Sequence, residues 1–185
     1  DGKPAPGAAV KIRLMKHSFA FGSAVNSTFL FSGKNEGDTR RYREIFLKLF
    51  NSATIENDLK WPYWKGEERV WAGKTAAWLA AGGIKLRGHT LIWPSWEHMP
   101  AAMEGLKRAP EQLRGAIRAH IKEEAAWYRG KPAEWDVLNE PTGHQEIIGL
   151  LGREEALEWF RLARGTDPAA RLYVNDYDIL DGFGD

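Results

Sequence analysis

Trp135-Asp136-Val137-Leu138-Asn139-Glu140-Pro141 is the segment from which the fold of this chain is predicted. Val137 and Leu138 are typical of a buried strand, and proline then ends it, so Asn139 and Glu140 lie at its carboxyl end. Ligands bind at this end of a parallel α/β sheet because the loops there converge on one mouth. A lone Asn-Glu pair is more often a helix cap or part of an ion pair. The interpretation of Glu140 as a working acid therefore depends on the rest of the sequence.

The composition of the chain excludes several classes of protein. With 185 residues and 43% hydrophobic content it can bury one core, and one domain is expected. Its 26 basic and 25 acidic side chains leave a net charge of +1, which gives no electrostatic basis for binding nucleic acid or a membrane surface. It has no cysteine, and therefore no disulfide or thiolate metal site. No apolar run approaches the roughly 20 residues that cross a bilayer, and residues 1–4 do not begin a signal peptide.

Strand and helix patterns alternate along the chain. Buried strands are predicted at residues 19–25, 52–55, within 84–92, 134–139 and 172–174. Helices are predicted from an Asp38 cap to about residue 50, from about 67 to Gly82, from Pro110 onward, and from about 153 to 164. Residues 8–15 alternate apolar and basic side chains, so a half-exposed strand is expected there, within a hairpin segment at 1–18 that precedes the sheet. Five buried strands alternating with four helices predict a parallel sheet with right-handed crossovers.

Both a doubly wound sheet and a (β/α)8 TIM barrel fit this order of elements. The sequence has no Gly-x-Gly-x-x-Gly after the first strand and no phosphate-binding Gly-x-x-x-x-Gly-Lys motif, which disfavours the nucleotide-binding sheet. Polar groups of mixed type instead follow strand after strand, as in barrel active sites. A complete barrel takes roughly 250 residues. The chain is therefore expected to supply about the first five β/α units of an incomplete α/β barrel.

The polar groups at the predicted strand ends are suited to a carbohydrate. They offer carboxylate, amide, ammonium, imidazole and indole groups, from Glu56, Asn57, Lys60, His89, Trp93, Asn139 and Glu140. Such a set provides hydrogen bonds to the edge of a polyhydroxylated ring and an apolar wall for its face. No metal or cofactor is predicted, because the five histidines are scattered and no His-x-x-x-His spacing occurs. No serine lies in Gly-x-Ser-x-Gly, which disfavours a serine nucleophile.

Five segments, taken in order, resemble one known family. They are Phe21-Gly22-Ser23-Ala24-Val25-Asn26, Thr54-Ile55-Glu56-Asn57-Asp58-Leu59-Lys60-Trp61, Arg87-Gly88-His89-Thr90-Leu91-Ile92-Trp93, Trp135-Asp136-Val137-Leu138-Asn139-Glu140 and Leu172-Tyr173-Val174-Asn175-Asp176-Tyr177. They resemble the successive strand ends of family 10 glycoside hydrolases, which are endo-β-1,4-xylanases on a (β/α)8 barrel. The resemblance implies that residues 1–185 are the N-terminal portion of a single glycoside hydrolase catalytic domain, covering strands 1 to 5.

The resemblance also implies roles for the candidate residues. Glu140 would be the general acid/base, and Asn139 would hold the 2-hydroxyl of the sugar being cleaved. The side chains implied to line the glycone subsites are Glu56, Asn57, Lys60, His89 and Trp93. Tyr177 would face the leaving-group side. Xylan or xylo-oligosaccharides are the implied substrate, and a secreted or extracytoplasmic location is implied as well, with any export signal outside this sequence.

A retaining mechanism follows from the same resemblance, and it needs two carboxyl groups about 5 to 5.5 Å apart. The family's nucleophile is a second glutamate at the end of strand seven, so it is expected outside this chain. Pro94-Ser95-Trp96 stands where many relatives have His-Ser-Gln, which alters the pocket wall near the cleaved sugar.

Three roles for the chain itself stay open from its sequence. It is part of an endoxylanase whose missing strands come from a second chain or a C-terminal fragment, a non-catalytic half-barrel that binds xylo-oligosaccharides, or an inert structural fragment. Five strands of an open barrel leave two unpaired edges, which favours a partner over an isolated monomer.

Overall fold

The computed structural model of the chain describes residues 2–4, 6–15, 17–33 and 35–179. Its strands form one five-stranded parallel sheet in which each strand pairs with the next along the chain. The strands are β1 (Gly22–Val25), β2 (Ser52–Ile55), β3 (Lys85–Ile92), β4 (Pro132–Asn139) and β5 (Arg171–Asn175). A doubly wound sheet reverses its strand order at a switch point. This sheet runs from β1 to β5 without reversal, which is the strand order of a barrel.

Helices connect the strands and pack on the sheet. They are α1 (Ser27–Phe31), α2 (Glu36–Leu49), α3 (Gly66–Ala81), α4 (Pro110–Trp127), α5 (Glu146–Leu151) and α6 (Arg153–Thr166). Short 3₁₀ helices, Trp61–Tyr63 and Ala101–Leu106, lie in the connections after β2 and β3. Helix α3 packs on β2 and β3, α4 on β3, and α6 on β4 and β5. None of the helices in the described ranges combines the length and the apolar character that a bilayer crossing requires.

The hydrophobic core lies between the sheet and these helices. Helix α4 contributes Leu113, Ile117 and Ile121, which are fully buried and whose four-residue spacing places them in one stripe. The core also contains Trp135 of β4, whose indole lies against the backbone of Gly88 in β3. A Cβ atom at position 88 would come within 2.2 Å of that indole. The close approach of the two strands at this point therefore requires glycine.

Polar side chains occupy the opposite face of the sheet. Thr54 of β2, Arg87 and His89 of β3, and Asp136 of β4 line one open cavity there. Because successive residues of a strand point to opposite faces, these side chains alternate with the apolar residues that face the helices. This polar face corresponds to the interior of the barrel, and the strand ends above it carry the candidate site.

The five predicted buried strands and the long helices are present, with bounds that differ by no more than a few residues. Helix α2 begins before the predicted Asp38 cap, because Asn35 is the cap and its side chain accepts a hydrogen bond from the backbone N–H of Asp38. The sequence pattern does not predict α1 and α5, which have only five and six residues and are too short to show a helical period.

The predicted strand at residues 8–15 is wrong. The segment has no strand structure, and Val10, Ile12 and Leu14 are 81%, 91% and 73% exposed. An alternating segment becomes a strand only when a neighbour accepts its backbone hydrogen bonds, and within the described ranges no strand pairs with this one. Pro6-Gly7 does form the predicted turn, whereas Asp1 of the other predicted turn lies outside the described residues.

Candidate active site

Glu140 directly follows the last residue of β4. Its φ is +51°, in the left-handed region that residues other than glycine rarely adopt. Two backbone hydrogen bonds hold it there: its N–H donates to the carbonyl of Asn175 at 2.6 Å, and its carbonyl accepts from the N–H of His144 at 3.0 Å. Strained backbone of this kind persists where neighbours fix it and is concentrated at functional sites. The Glu140 side chain is 22% exposed, so its carboxyl group is accessible yet partly shielded from water.

Asn139, the last residue of β4, is fully buried. Its Oδ1 accepts a hydrogen bond from Nδ2 of Asn175 on the neighbouring strand at 2.7 Å. Its own Nδ2 has no hydrogen-bond partner among the described residues. Asn175 of β5 thus fixes the orientation of the Asn139 amide, and in the described part of the chain the Nδ2 donor of that amide remains without an acceptor next to Glu140.

Glu56, Asn57 and Lys60 follow β2. Glu56 accepts a hydrogen bond at its Oε2 from Nδ2 of Asn26, which follows β1, at 2.7 Å. Lys60 donates from Nζ to Oδ1 of Asn57 at 2.9 Å. Burial lowers the pKa of Lys60, whereas the negative charges of Glu56 and Glu140 act in the opposite direction. The ammonium group therefore lies within electrostatic reach of the carboxylates that follow β2 and β4.

His89 lies within β3 and not after its end, where the sequence predicts it. It pairs in register with Asp136 of β4, and its Nδ1 is 2.9 Å from Oδ2 of that residue. Asp136 is buried and also accepts hydrogen bonds from Nε and Nη2 of Arg87, with Oδ1 at 3.0 and 2.5 Å. The carboxylate of Asp136 thus fixes the orientation of the His89 ring, and the planar guanidinium of Arg87 fixes the orientation of that carboxylate.

Trp93 is the first residue after β3, and two imidazoles surround it. Its ring stacks on His98 with centroids 3.6 Å apart, and the edge-to-face contact with His144 has centroids 5.7 Å apart. Nζ of Lys60 lies 5.5 Å from the centroid of the Trp93 ring, within the range of a cation–π contact. His144 in turn places Nε2 at 3.5 Å from Oε2 of Glu140.

Two neighbouring hollows are formed by these groups. One, of about 450 Å³, is lined by Ala24, Thr54, Glu56, Arg87, His89, Asp136 and Asn175. The other, of about 290 Å³, is lined by Asn57, Lys60, Pro62, Tyr63, Trp93, Glu97 and His98. Glu56 lines the first hollow, and Asn57, the next residue in the chain, lines the second. The side chains that follow β2 and β3 therefore share one mouth, and the charge of Glu140 reaches Lys60 in it.

The donor set of this mouth suits sugar hydroxyls better than a metal ion. In the part of the chain that the structure describes, no group of three His, Asp or Glu side chains could hold a metal. The carboxylates are instead separated by an ammonium, an amide and two imidazoles, which are the partners that a polyhydroxylated ring uses.

Similarity to known proteins shows the family of the chain. The family model for glycosyl hydrolase family 10 matches residues 12–182. The chain belongs to this family. Endo-1,4-beta-xylanase 3 of Hypocrea jecorina is 33% identical to it over 174 residues, which cover 89% of this chain and 47% of that protein. Beta-1,4-xylanase of Dictyoglomus thermophilum is 31% identical over 185 residues, with coverage of 90% and 47%.

A solved family 10 structure confirms the fold. Xylanase 10B from Thermotoga maritima superimposes with a TM-score of 0.74 at 29% identity, covering 85% of this chain and 50% of that one. The chain thus spans about half the length of these family 10 relatives. The five strands of the sheet are part of a (β/α)8 barrel, as the sequence predicts, and the predicted family is confirmed.

Several residues of the candidate site are not among those predicted from sequence. Asp136 and Arg87 stand inside predicted strands, where an ionisable side chain does not by itself show which residue it pairs with. His98 and His144 lie on irregular connections, and no local pattern links the two. Their convergence on Trp93 is visible only in three dimensions.

Proposed function

We propose that the intact protein is a retaining endo-β-1,4-xylanase that hydrolyses internal bonds of xylan, with Glu140 as its general acid/base. The observation that carries this proposal is the convergence of Glu56, Lys60 and Trp93 with Glu140 at the carboxyl ends of β2, β3 and β4. Family 10 membership and relatives that are themselves named xylanases support it. In an α/β barrel, catalytic groups come from the ends of several strands.

Glu56, Asn57, Lys60, His89 and Trp93 would bind the glycone side of the substrate. Lys60 and His89 are held by neighbouring oxygens of Asn57 and Asp136, so both are preorganised before substrate arrives. The indole of Trp93 offers an apolar wall, and the carboxylate of Glu56 accepts hydrogen bonds from hydroxyl groups.

Asn139 would bind the 2-hydroxyl of the sugar being cleaved. Its unpartnered Nδ2 supports this role, because a buried donor without an acceptor costs about 1–3 kcal/mol. A hydroxyl oxygen seated beside Glu140 would provide that acceptor. Hydrogen bonds to the 2-hydroxyl strengthen in the transition state of retaining glycosidases, so the cost in the free protein would be recovered during catalysis.

The chemistry would proceed in two steps. Glu140 first donates its proton to the glycosidic oxygen while a second carboxylate, from outside these 185 residues, attacks the anomeric carbon and forms a glycosyl ester. The glycosidic C–O bond breaks and the leaving sugar takes the proton. Glu140, now ionised, removes a proton from water, whose oxygen displaces the carboxylate and restores the hydroxyl at the anomeric carbon with net retention.

The test is Glu140→Gln in the intact protein. Hydrolysis of xylan should fall by about 10²- to 10⁴-fold, the usual contribution of general acid catalysis, while an aryl xylobioside with a good leaving group should still form the glycosyl ester. The matched control is Glu111→Gln, because Glu111 is 81% exposed on α4. A Glu140→Gln protein that hydrolyses xylan as fast as the parent would refute the assignment.

The same samples distinguish the other roles of the chain. Proton NMR of the first product should show the β-anomer of a retained configuration. An intact parent protein that binds xylo-oligosaccharides in calorimetry but does not cleave xylan would be a non-catalytic binding half-barrel. An inert fragment would neither bind nor cleave, and activity restored by a second polypeptide would show a barrel completed by a partner.

A further inference from the structure

The turn after Glu140 brings a histidine back onto its carboxyl group. The N–H of His144 donates to the carbonyl of Glu140 at 3.0 Å, so the chain makes one helix-like turn and the two side chains lie on one side of it. Nε2 of His144 is then 3.5 Å from Oε2 of Glu140. Both side chains are partly shielded, at 24% and 22% exposed.

Aromatic contacts fix the orientation of this imidazole. The His144 ring meets Trp93 edge to face at 89°, and it meets His98 at 75° with centroids 4.8 Å apart. The turn itself is packed: a Cβ at Gly143 would lie 2.3 Å from the hydroxyl of Tyr177. Because the ring and its backbone are both held, Nε2 has little freedom to turn away from Glu140.

The surroundings of His98, the imidazole that faces His144, disfavour its protonated form. Burial, and then the facing His144, lower the pKa of His98, and the ammonium of Lys60 acts in the same direction. The carboxylates of Glu97 and Glu140 act against this shift. His98 thus stays a neutral aromatic support near neutral pH.

We propose that His144 is a positioning residue for the acid/base Glu140, donating from Nε2–H to Oε2 of its carboxyl group. This inference rests on the role proposed for Glu140 and adds a partner to it. With Oε2 occupied as an acceptor, the acidic proton resides on Oε1, which fixes the oxygen that protonates the leaving group. The 3.5 Å separation closes to a hydrogen bond when substrate tightens the site.

Two substitutions separate this role from simple packing. His144→Leu keeps much of the bulk and removes the donor, whereas His144→Gln keeps an N–H donor. For His144→Leu we expect kcat on xylan to fall about 10- to 100-fold with little change in KM, the usual cost of a misplaced catalytic group. A dinitrophenyl xylobioside needs no acid assistance, so its glycosyl ester should form at nearly the parent rate. His144→Gln should recover most of the activity, and His17→Leu, beside Asn51 at the opposite end of the sheet, should match the parent.

A spectroscopic measurement keeps the inference independent of turnover. With ¹³C-labelled glutamate, the Glu140 carboxyl carbon is assigned by its absence in Glu140→Gln. The chemical shift of this carbon at one fixed pH should differ between the parent and His144→Leu and should be unchanged in His17→Leu. Identical chemical shifts, together with equal losses on both substrates, would overturn the positioning role. A parent protein without xylanase activity would instead remove the proposed function, while a changed chemical shift in His144→Leu would still establish the contact between His144 and Glu140.

Discussion

Glu155 joins two helices on the outside of the barrel, and its removal has a calculable effect on stability. Its buried carboxylate on α6 accepts hydrogen bonds from Arg118 of α4 at 2.8 and 2.7 Å, from Arg114 of α4, and from the indole N–H of Trp159 at 3.2 Å. Burial alone would raise the pKa of Glu155, but the hydrogen bonds and charges of Arg118 and Arg114 outweigh it and hold the pKa below the ordinary value.

Glu155→Gln retains the shape of the side chain and removes its charge. The amide keeps one acceptor oxygen, so about two charge-assisted hydrogen bonds are lost at about 1.5–3 kcal/mol each. Arg114 and Arg118 are 25% and 39% exposed, so water replaces part of this interaction. We therefore expect the free energy of unfolding to fall by about 3 kcal/mol at pH 7, the lower end of the range for a broken buried ion pair.

The pH dependence of this loss has a definite sign. In the unfolded chain Glu155 takes up a proton near its ordinary pKa of 4.5, and in the folded protein it does so only at lower pH. The stabilisation by Glu155 is therefore complete above about pH 4.5 and is lost as the pH falls through the folded-state pKa. Parent and Glu155→Gln should converge in stability in that acidic range.

Urea unfolding followed by tryptophan fluorescence measures this difference at each pH. The control is Glu158→Gln on the same helix, since Glu158 pairs at 3.4 Å with an Arg161 that is 68% exposed. Exposed pairs contribute at most about 1 kcal/mol. If Glu155→Gln lost no more stability at pH 7 than the control, or if its deficit grew toward acidic pH, the reasoning about the buried carboxylate would be wrong.

Three further substitutions test the sheet and the site. Asp136→Asn should lower the free energy of unfolding by about 2–3 kcal/mol in urea and reduce kcat/KM on xylan about tenfold, because His89 loses its charged acceptor. Gly88→Ala should cost about 1–3 kcal/mol in thermal unfolding since its Cβ has no room, whereas Gly22→Ala, with its nearest atoms at 3.4 Å, should cost less. Lys60→Met should weaken binding of xylo-oligosaccharides about 10- to 100-fold in calorimetry, the worth of a hydrogen bond from a charged donor, and unchanged affinity would exclude Lys60 from the subsite.

Local patterns in the sequence predict the elements whose structure depends on the burial of a regular stripe. Strand β2 has its predicted bounds, and the apolar stripe of the predicted helix α4, Leu113, Ile117, Ile121 and Ala125, is fully buried. The same reasoning fails for residues 8–15, because an alternating pattern shows which faces a strand would have and not whether a neighbour is present. It also misses α1, which depends on the Asn26 side chain as a cap and not on a period.

The residues of the candidate site also divide into those that a local pattern predicts and those whose position depends on how irregular connections pack. Glu56, Trp93 and Glu140 are predictable because each immediately follows a strand, and a parallel sheet brings such positions to one edge. His98 and His144 are not, because their contact depends on how two irregular connections pack. Loops that carry function have weaker local signals than the scaffold that positions them.

The polar interior face explains why the site can be preorganised without substrate. Arg87 pairs with Asp136 and lies over the ring of Tyr173 at 4.5 Å, while Asp136 holds His89. These contacts span β3, β4 and β5, and they satisfy the charges within the sheet itself. His89 is consequently oriented by the protein before the proposed substrate binds, which reduces the entropy lost on binding. A substitution below the strand ends, at Asp136, should therefore weaken the proposed catalysis through the orientation of His89 while leaving the chemical groups at the mouth unchanged.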